Sequence, residues 1–573
     1  MLNIKVTEQM NLKTLKKTLF KSLFIGTILF SYDALAQQWG DYTLYSTTGS
    51  TSSYLLDTNG TVVKTWTHGT AKTAYSCYLM PGGYLWRGVA KSGNSFTGGP
   101  IAGQIQKWDW NGNLLWDFVY STTEYCTHHD FCVLPNGNVL LISYESKTAA
   151  QVTAAGCTFN GIMWPDKVVE VKPTGATTGE VVWEWKIWDH IVQDKDASKA
   201  NYQSSIVNHP ELLNVNYKTA KDWIHMNGID YNPILDQIAV SSHNINEWYI
   251  IDHSTTTAEA ASHSGGNSGK GGDFLYRWGN PAAYGAAGTA VLNVTHDAHW
   301  IPEGVPNAGR LVGFNNKGVS STKSSVDQIE APVNGYNYDI TLGSAYEPST
   351  YTRHACNGYT SNAGSSDQLP NGNMLVCIAL SGYIYEIDPA GTSIWSKTVS
   401  GASQQAHRYE KCYTDNEPPA IPVITNNANI LSSTTATTYQ WYLNGKKIDG
   451  ATSANYTPTF NGVYVVRITD SKGCIYRYSQ GYKYTEGSVG IMPVKNKSSF
   501  TLNPNPTHGR FTLSNTGTIE NIEIKISDVY GRTVLQTKNY DTIDMSNFSN
   551  GMYSVNIYSD NYLTGTIKLN LIK

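Results

Sequence analysis

Two nearly identical hairpin sequences occur far apart in this chain. They are Leu134-Pro-Asn-Gly-Asn-Val-Leu-Leu141 and Leu369-Pro-Asn-Gly-Asn-Met-Leu-Val376. In each, Asn-Gly joins two apolar runs, which is a strong short-range signal for a tight β-hairpin. Less regular copies begin at Met80, Asp230 and Ile301. A hairpin that recurs along a chain predicts a repeat architecture built from one small β unit.

Most copies are followed by a second hairpin that ends in an aromatic strand. These second hairpins cover Lys107–Trp116, Val168–Trp185, Trp248–Trp278 and Tyr383–Trp395, and together with the five hairpin copies above they outline five four-stranded units. A sixth unit would combine Tyr42–Trp66 with the late strand Ala406–Tyr413. Joining both ends of the domain in one unit closes the ring and removes exposed sheet edges. The sequence therefore predicts a six-bladed β-propeller over residues 37–415.

The composition agrees with an all-β protein. The chain has 573 residues with 38 Tyr, 16 Trp and 51 Gly, and few long apolar periodic segments. We expect a propeller followed by two small β-sandwich domains rather than a helical bundle. The net charge of −4 provides no basic stripe, so nucleic acid is not an expected partner.

The start of the chain resembles an export signal. Basic residues from Lys13 to Lys21 precede the apolar stretch Leu23–Phe30, and Ala34-Leu-Ala36 offers a small-x-small cleavage site. We assign residues 1–36 to a signal peptide. No later stretch approaches the apolar length that spans a bilayer, so no transmembrane anchor is expected.

An exported chain with eight cysteines can form disulfides, but an even count does not fix their connectivity. Cys126 and Cys132 bracket two adjacent histidines, and a short bridge between them would stiffen that segment. The alternative is that cysteines such as Cys132 and Cys377 are buried in strands. Cys474 has no obvious partner within its own domain.

A histidine phrase also occurs twice in the propeller region. Its copies are Thr127-His128-His129-Asp130 and Thr295-His296-Asp297-Ala298-His299, each preceding a strand at an equivalent place in the repeat. Equivalent loops of different blades converge at one end of a propeller channel, so a shared site is expected there. Histidine clusters also bind zinc or copper, but the phrases lack the close spacing of a dedicated ligand set. We therefore expect no metal, although His296 to His299 stays open on this point.

Several phrases resemble the arylsulfate sulfotransferase family over roughly Tyr42 to Tyr413. The phrases are Asp222-Trp-Ile-His-Met-Asn-Gly-Ile-Asp-Tyr-Asn-Pro233, Leu275-Tyr-Arg-Trp-Gly-Asn-Pro281, Thr295-His-Asp-Ala298, Gly313-Phe-Asn-Asn316 and Ser365-Ser-Asp-Gln-Leu-Pro-Asn-Gly-Asn373. The resemblance implies an exported six-bladed propeller that moves a sulfuryl group from an aryl sulfate to a phenol. It also implies that no nucleotide sulfate donor and no cofactor are used.

The resemblance further implies roles for particular residues. His296 is the expected nucleophile, because it matches the family's His-Asp-Ala phrase and neutral imidazole can attack sulfur. His225 and Asn227 would hold the sulfuryl oxygens as charge develops. His129, interpreted as the repeat counterpart of His296, and its neighbour His128 complete the set.

The sequence departs from the family pattern at one position. An arginine is expected in the strand after the His-x-Asn loop, whereas this chain has Ser241-Ser-His-Asn-Ile-Asn-Glu247, with His243 in its place. Histidine is positively charged only when protonated, so the substrate's negative charge is less well matched. Arg277 could compensate, although an outer strand is the expected place for it.

The composition changes after the propeller. A Pro-rich linker, Thr414–Pro422, leads to a buried-Trp strand pattern around Trp441 and a Gly-x-Tyr strand beginning at Gly462. This pattern resembles an immunoglobulin-like module over residues 416–488, with a role in spacing or weak binding.

The last segment, residues 495–573, resembles the C-terminal sorting domain of type IX secretion. The phrases that carry this resemblance are Leu502-Asn-Pro-Asn-Pro-Thr-His-Gly-Arg-Phe511, Ile526-Ser-Asp-Val-Tyr-Gly-Arg532, Ile543–Asn556 and the ending Ile567–Lys573. It implies export through the periplasm of a Gram-negative bacterium and a secreted or cell-surface location. The type IX machinery is then a partner, together with the phenolic sulfate donor and the phenol acceptor.

Two functions remain open from the sequence. The first is an exported sulfotransferase that works through a sulfohistidine intermediate. The second is a non-catalytic surface propeller that binds glycans or a protein partner, which the immunoglobulin-like module and the missing arginine both allow.

Overall fold

A computed structural model describes residues 37–485, 500–515, 522–528, 532–538, 541–559 and 562–573. The expected signal peptide lies outside the described residues. The chain divides into two compact units. The first contains the described residues up to Ala420 together with Asp470–Arg477, and the second contains Ile421–Thr469 and the residues from Tyr478 onward.

The first unit forms a propeller. Its described residues contain six four-stranded antiparallel sheets, and contacts between the innermost strands of successive sheets run around a closed ring. From inner to outer strand, blade 1 has Ser403–Tyr409, Tyr42–Thr47, Ser52–Leu56 and Val62–Thr67; blade 2 has Thr73–Met80, Tyr84–Ala90, Gly103–Trp108 and Leu114–Val119; blade 3 has Tyr125–Val133, Val139–Glu145, Asp166–Pro173 and Gly179–Lys186; blade 4 has Met226–Asn232, Gln237–Ser242, Glu247–Asp252 and Tyr276–Trp278; blade 5 has Thr295–Trp300, Leu311–Ser320, Lys323–Ile329 and Thr352–Ala355; and blade 6 has Ser365–Gln368, Met374–Ile378, Tyr383–Ile387 and Ser393–Thr398.

Blade 1 is closed by the two ends of the domain, as the sequence predicts. Tyr42 pairs with Tyr409 and Thr47 pairs with Ser403, which joins the first strand of the propeller to its last. The predicted Asn-Gly turns also lie where the hairpins require them, because Gly137 and Gly372 have φ of 86° and 90°.

The remaining elements of this region are short. The α-helices are Ala149–Ala154, Thr257–Ala260 and Cys412–Asp415; the 3₁₀ helices are Ile187–His190, Ile206–Asn208, Pro281–Tyr284 and Ala379–Ser381; and the additional strands are Ile191–Val192, Leu213–Asn214, Val333–Asn334, Asn337–Tyr338 and Tyr476–Tyr478. In the part of the chain that the structure describes, no helix has the length and hydropathy needed to cross a membrane.

The disulfide hypothesis for Cys126 and Cys132 is wrong. Both thiols are free, and both residues lie on the single strand Tyr125–Val133. Cys126 and Cys132 pair with Tyr144 and Leu140 of the neighbouring strand. Four residues of regular strand span roughly 13 Å, which is beyond the reach of a disulfide. Cys474 instead pairs with Cys412, with 6.6 Å between the Cα atoms, so its partner lies at the end of the propeller sequence.

The second unit contains two separate hydrophobic cores. One, around Trp441 and Tyr464, lies between two small sheets, and the other, around Phe511 and Val555, also draws on two sheets. The first pair of sheets has strands Ile424–Asn427, Ile430–Ser433 and Asn455–Tyr456, and Lys446–Lys447, Tyr439–Leu443, Gly462–Thr469 and Tyr482–Tyr484; the second pair has Phe500–Asn503, Arg510–Asn515 and Ile543–Asp544, and Thr533–Thr537, Ile522–Ser527, Gly551–Ser559 and Tyr562–Leu571.

Candidate active site

The histidines singled out in the sequence lie on or beside inner strands of three consecutive blades. His128 and His129 are inside the inner strand of blade 3, and His296 is inside that of blade 5. The phrases do precede the second strands of blades 3 and 5, as expected, but they lie within inner strands and not in loops. In blade 4, His225 directly precedes the inner strand and His243 follows the second strand.

Each of these three inner strands is interrupted by an irregular register. The interruptions fall between Thr127 and Phe131, between Met226 and Gly228, and between His296 and His299. Bulges of this kind bend a strand and re-aim its side chains, and they occur often beside active sites.

The same segments contain residues with left-handed backbone. His129, His225 and Asp297 have φ of 51°, 56° and 59°, which is unusual for non-glycine residues and stores strain at functional sites. Because His129 and Asp297 share this conformation, the backbone matches His296 with His128. The sequence-based pairing of His296 with His129 is one residue out of register.

The interruptions bring five imidazole rings together. Ring centroids are 4.6 Å apart for His129 and His225, 5.0 Å for His225 and His243, and 5.5 Å for His243 and His296. His128 lies behind His129 at 5.1 Å. Residues from three blades thus form one continuous cluster, so the expected convergence of these side chains is observed.

The tautomer of His296 is set by Asn316. The Asn316 amide nitrogen donates to the carbonyls of Thr360 and Ala363, at 2.9 and 2.7 Å. Its oxygen must therefore face His296, where it lies 2.7 Å from Nδ1. A carbonyl oxygen only accepts, so Nδ1 carries the proton and Nε2 carries the lone pair.

The lone pair of His296 is engaged by a backbone group. The N–H of Ala363 donates to Nε2 at 3.1 Å, and Ala363 itself has a φ of 53°. Attack by Nε2 on a substrate requires this hydrogen bond to break. The strained backbone of Ala363 lowers the cost of moving the loop away.

His128 connects a buried carboxyl group to His129. Its Nε2 lies 2.7 Å from Oδ1 of Asp166, and its Nδ1 lies 2.8 Å from Nδ1 of His129. Its ring also stacks on Tyr144, with centroids 3.6 Å apart. Both nitrogens are thus occupied, so His128 orients His129 and can pass a proton to it.

His225 has a carboxylate partner of its own. Its Nδ1 lies 2.6 Å from Oδ2 of Asp222 and 3.1 Å from the hydroxyl of Tyr144. The carboxylate accepts the Nδ1 proton, which leaves Nε2 as the nitrogen for proton transfer in the cluster.

Asn227 joins blades 4 and 5. Its amide nitrogen donates to the carbonyl of Thr295 at 2.8 Å, and its oxygen accepts from the Ser241 hydroxyl at 2.6 Å. One N–H of the amide remains for another acceptor. Asn227 therefore fixes the strand segment that carries His296.

Burial favours the neutral form of His128, His129, His243 and His296. It is the main cause that lowers the pKa of His128, His129 and His296 below the ordinary value, and it lowers the pKa of His243 to about 4. Neutral imidazoles keep a nucleophilic lone pair but provide no positive charge. The Lys317 ammonium is close enough to contribute to the lowered pKa of His243.

Arg277 does not compensate for the missing arginine. Its guanidinium is fully buried and forms a bidentate ion pair with Glu247, at 3.2 and 2.6 Å. It belongs to the outer strand of blade 4, as expected from the sequence.

Sequence reasoning missed several residues that the structure places at the cluster, among them Asn316, Asp222 and Tyr75. Asn316 and Asp222 stand inside the quoted phrases, but their hydrogen bonds to His296 and His225 depend on folding. Tyr75 lies on the inner strand of blade 2, with its ring 5.1 Å from that of His129. Among the described residues, its buried hydroxyl has no hydrogen-bond partner. No sequence signal marked Tyr75.

A six-bladed propeller with histidines gathered on its inner strands is the architecture that the sequence resemblance implies. The family model for arylsulfotransferases matches residues 40–412, so the chain belongs to the arylsulfotransferase family. A second model, for a secretion system C-terminal sorting domain, matches residues 501–571. This domain indicates export to the cell surface or secretion.

More distant similarities add little. A search of curated proteins finds no match. A protein of unknown function from Bacteroides caccae is 10% identical, with a TM-score of 0.38 over 64% of this chain and 98% of that chain. Streptogramin B lyase is 12% identical, with a TM-score of 0.29 over 64% and 85% of the two chains. The β-propeller domain of Myceliophteria thermophila Cps50 is 10% identical, with a TM-score of 0.31 over 69% and 94%. At these scores we draw no conclusion from them.

Proposed function

We propose that this protein transfers a sulfuryl group from an aryl sulfate to a phenol through a sulfohistidine at His296. The observation that carries the proposal is the fixed tautomer, because Asn316 holds the proton on Nδ1 and leaves the lone pair on Nε2. Family membership supports the same reaction class.

In the first step, Nε2 forms a bond to sulfur while the bond from sulfur to the aryl oxygen breaks. The leaving phenoxide takes the Nε2 proton of His225, which enters this step with both nitrogens protonated and its charge balanced by the Asp222 carboxylate. The sulfated ring keeps its Nδ1 proton and becomes cationic, and the Asn316 carbonyl stabilises that charge. In the second step, the same histidine removes the proton from the acceptor phenol, whose oxygen then takes the sulfuryl group.

The negative charge of the sulfate ester must be balanced without the family's arginine. His243 stands in the expected place but is neutral at neutral pH, because burial lowers its pKa to about 4. We assign this task in part to Lys317, whose charge is near enough to contribute to the lowered pKa of His243. Hydrogen bonds from Asn227 and Tyr75 would complete the contacts to sulfuryl oxygens.

Mass spectrometry tests this proposal directly. Exposure to a chromogenic aryl sulfate without acceptor should add one SO₃ to the peptide that contains His296, and adding phenol should remove it. A His296→Ala variant should neither gain the group nor release phenol, whereas a His209→Ala control outside the cluster should behave as the parent does.

A second function is favoured by one observation, the backbone hydrogen bond that already occupies Nε2 of His296. If that loop stays closed, the propeller is a non-catalytic surface protein that binds glycans or a protein partner. If no aryl sulfate in a panel gives either an SO₃ adduct or phenol release, the non-catalytic binding function is favoured.

A further inference from the structure

A second histidine cluster lies away from the channel residues, beside the connection between the outer two strands of blade 4. It consists of His190, His263 and Asp273. The ring of His190 is fully buried and is stacked on Trp185, with 5.7 Å between centroids and 5° between planes. The side chain of His263, by contrast, is 63% exposed.

The hydrogen bonds of His190 leave one lone pair facing a carboxylate. Its Nε2 lies 2.8 Å from the carbonyl oxygen of Ala260, which can only accept, so Nε2 carries the proton. In the neutral ring Nδ1 is then an acceptor, yet it lies 2.8 Å from Oδ1 of Asp273. Two acceptors at this distance need a proton between them, carried by either His190 or Asp273, or a metal ion.

A third donor atom converges on the same oxygen. Nδ1 of His263 lies 2.7 Å from Oδ1 of Asp273. Two imidazole nitrogens and one carboxylate oxygen form a three-residue ligand set, and the bond from His190 to a backbone carbonyl is the outer-shell contact typical of metal-binding histidines. The exposure of His263 leaves a further coordination position open to water.

The Gly-rich run Ser264–Gly272 holds this cluster together. The end of this run packs closely against its surroundings. A Cβ atom on Gly272 would lie 2.0 Å from the Ala260 oxygen and 2.5 Å from Nε2 of His190, so only glycine allows this approach. His263 and Asp273 flank the run, and an ion bound to both would close it at its base.

We propose that His190, His263 and Asp273 bind one divalent cation of the zinc class, which fastens the Gly-rich run to the propeller. Ligand bonds of about 2.0–2.2 Å in tetrahedral geometry separate ligand atoms by about 3.3 Å. The two distances from the imidazole nitrogens to Oδ1 of Asp273, 2.8 and 2.7 Å, need to lengthen by roughly half an ångström, which the exposed side chain of His263 can accommodate.

Metal titration of the full mature chain, without a histidine tag, tests the proposal. After removal of metal with a chelator, one equivalent of Zn²⁺ should bind and raise the Tm. Co²⁺ should give visible absorption bands of tetrahedral type. His263→Ala, at an exposed position, should weaken Zn²⁺ binding by at least 10-fold and abolish the Tm shift. His209→Ala is the matched control and should bind as the parent does.

The five histidines of the candidate active site require a separate variant, because they could also bind zinc. His225→Ala should leave the one-equivalent binding unchanged. If His225→Ala loses zinc and His263→Ala retains it, the proposal is overturned. No stoichiometric binding by the parent would also overturn it, and a proton between His190 and Asp273 would then account for their contact.

Discussion

Nδ1 of His296 lies 2.7 Å from the amide oxygen of Asn316, and the same amide holds the carbonyl of Ala363. One side chain therefore sets the tautomer of the proposed nucleophile and anchors the loop whose N–H covers the nucleophilic nitrogen. Asn316 therefore both places the lone pair on Nε2 of His296 and holds the loop that covers this nitrogen.

This double role predicts the effect of Asn316→Leu. Loss of the amide frees the histidine to adopt the other tautomer, so kcat should fall by about 10- to 100-fold, as is usual for a residue that orients a reactive group. KM for the donor should change less, because Asn316 does not touch the substrate. Steady-state kinetics and the rate of SO₃ adduct formation measure both effects, with the exposed Asn334→Leu as control. An unchanged adduct rate would contradict the role of Asn316.

The histidine at position 243 predicts a gain of function. His243→Arg would supply a permanent positive charge beside His225 and His296, so kcat/KM for an aryl sulfate should rise several-fold. His243→Gln has a similar size but no charge, and its kcat/KM should not rise. Equal kinetics for the arginine and glutamine variants would show that charge at this position is not limiting.

Lys317 provides a complementary test of electrostatics. Lys317→Met should raise KM for the anionic donor by a few-fold and weaken the salt dependence of kcat/KM, because one screened attraction is lost. Lys172→Met, on the third strand of blade 3, is the control. Kinetics at low and moderate ionic strength would detect the difference. An identical salt dependence of kcat/KM for Lys317→Met and the parent would show that Lys317 does not attract the donor.

The buried imidazoles predict how stability depends on pH. His243 has a folded-state pKa of about 4, below its unfolded value near 6.5, so the unfolded chain binds more protons between these values. The stabilisation that comes from the neutral ring of His243 is complete above about pH 6.5 and is lost as the pH falls to about 4. Across this pH range the residue alone changes the free energy of unfolding by on the order of 3 kcal/mol. Chemical denaturation from pH 7 to 4 should show a shallower loss for His243→Gln, whereas the core truncation Val240→Ala should lower stability without changing the slope.

The sequence predicted the fold better than the site. Repeated Pro-Asn-Gly-Asn turns are local signals, so the hairpins and the closing pair of Tyr42–Thr47 with Ser403–Tyr409 could be anticipated. The bulges at His129 and His225 have no signal in the local sequence, yet they determine the orientation of the imidazole rings. Tyr75 was missed for the same reason, since only the ring of six inner strands brings blade 2 beside blade 3. The disulfide partner of Cys474 was missed because its pairing depends on a return of the chain to the propeller unit.

Removal of residues 495–573 should separate export from folding. The propeller closes with its own strands, Tyr42–Thr47 and Ser403–Tyr409, and both Cys412 and Cys474 precede the deleted segment. The truncated chain should therefore remain folded, keep its disulfide and accumulate in the periplasm, because the sorting domain that matches residues 501–571 is lost. Cell fractionation locates the protein, mass spectrometry with and without reduction reports the disulfide, and the aryl sulfate assay reports the propeller. Secretion of the truncated chain at the level of the full chain would contradict the sorting role, whatever its activity.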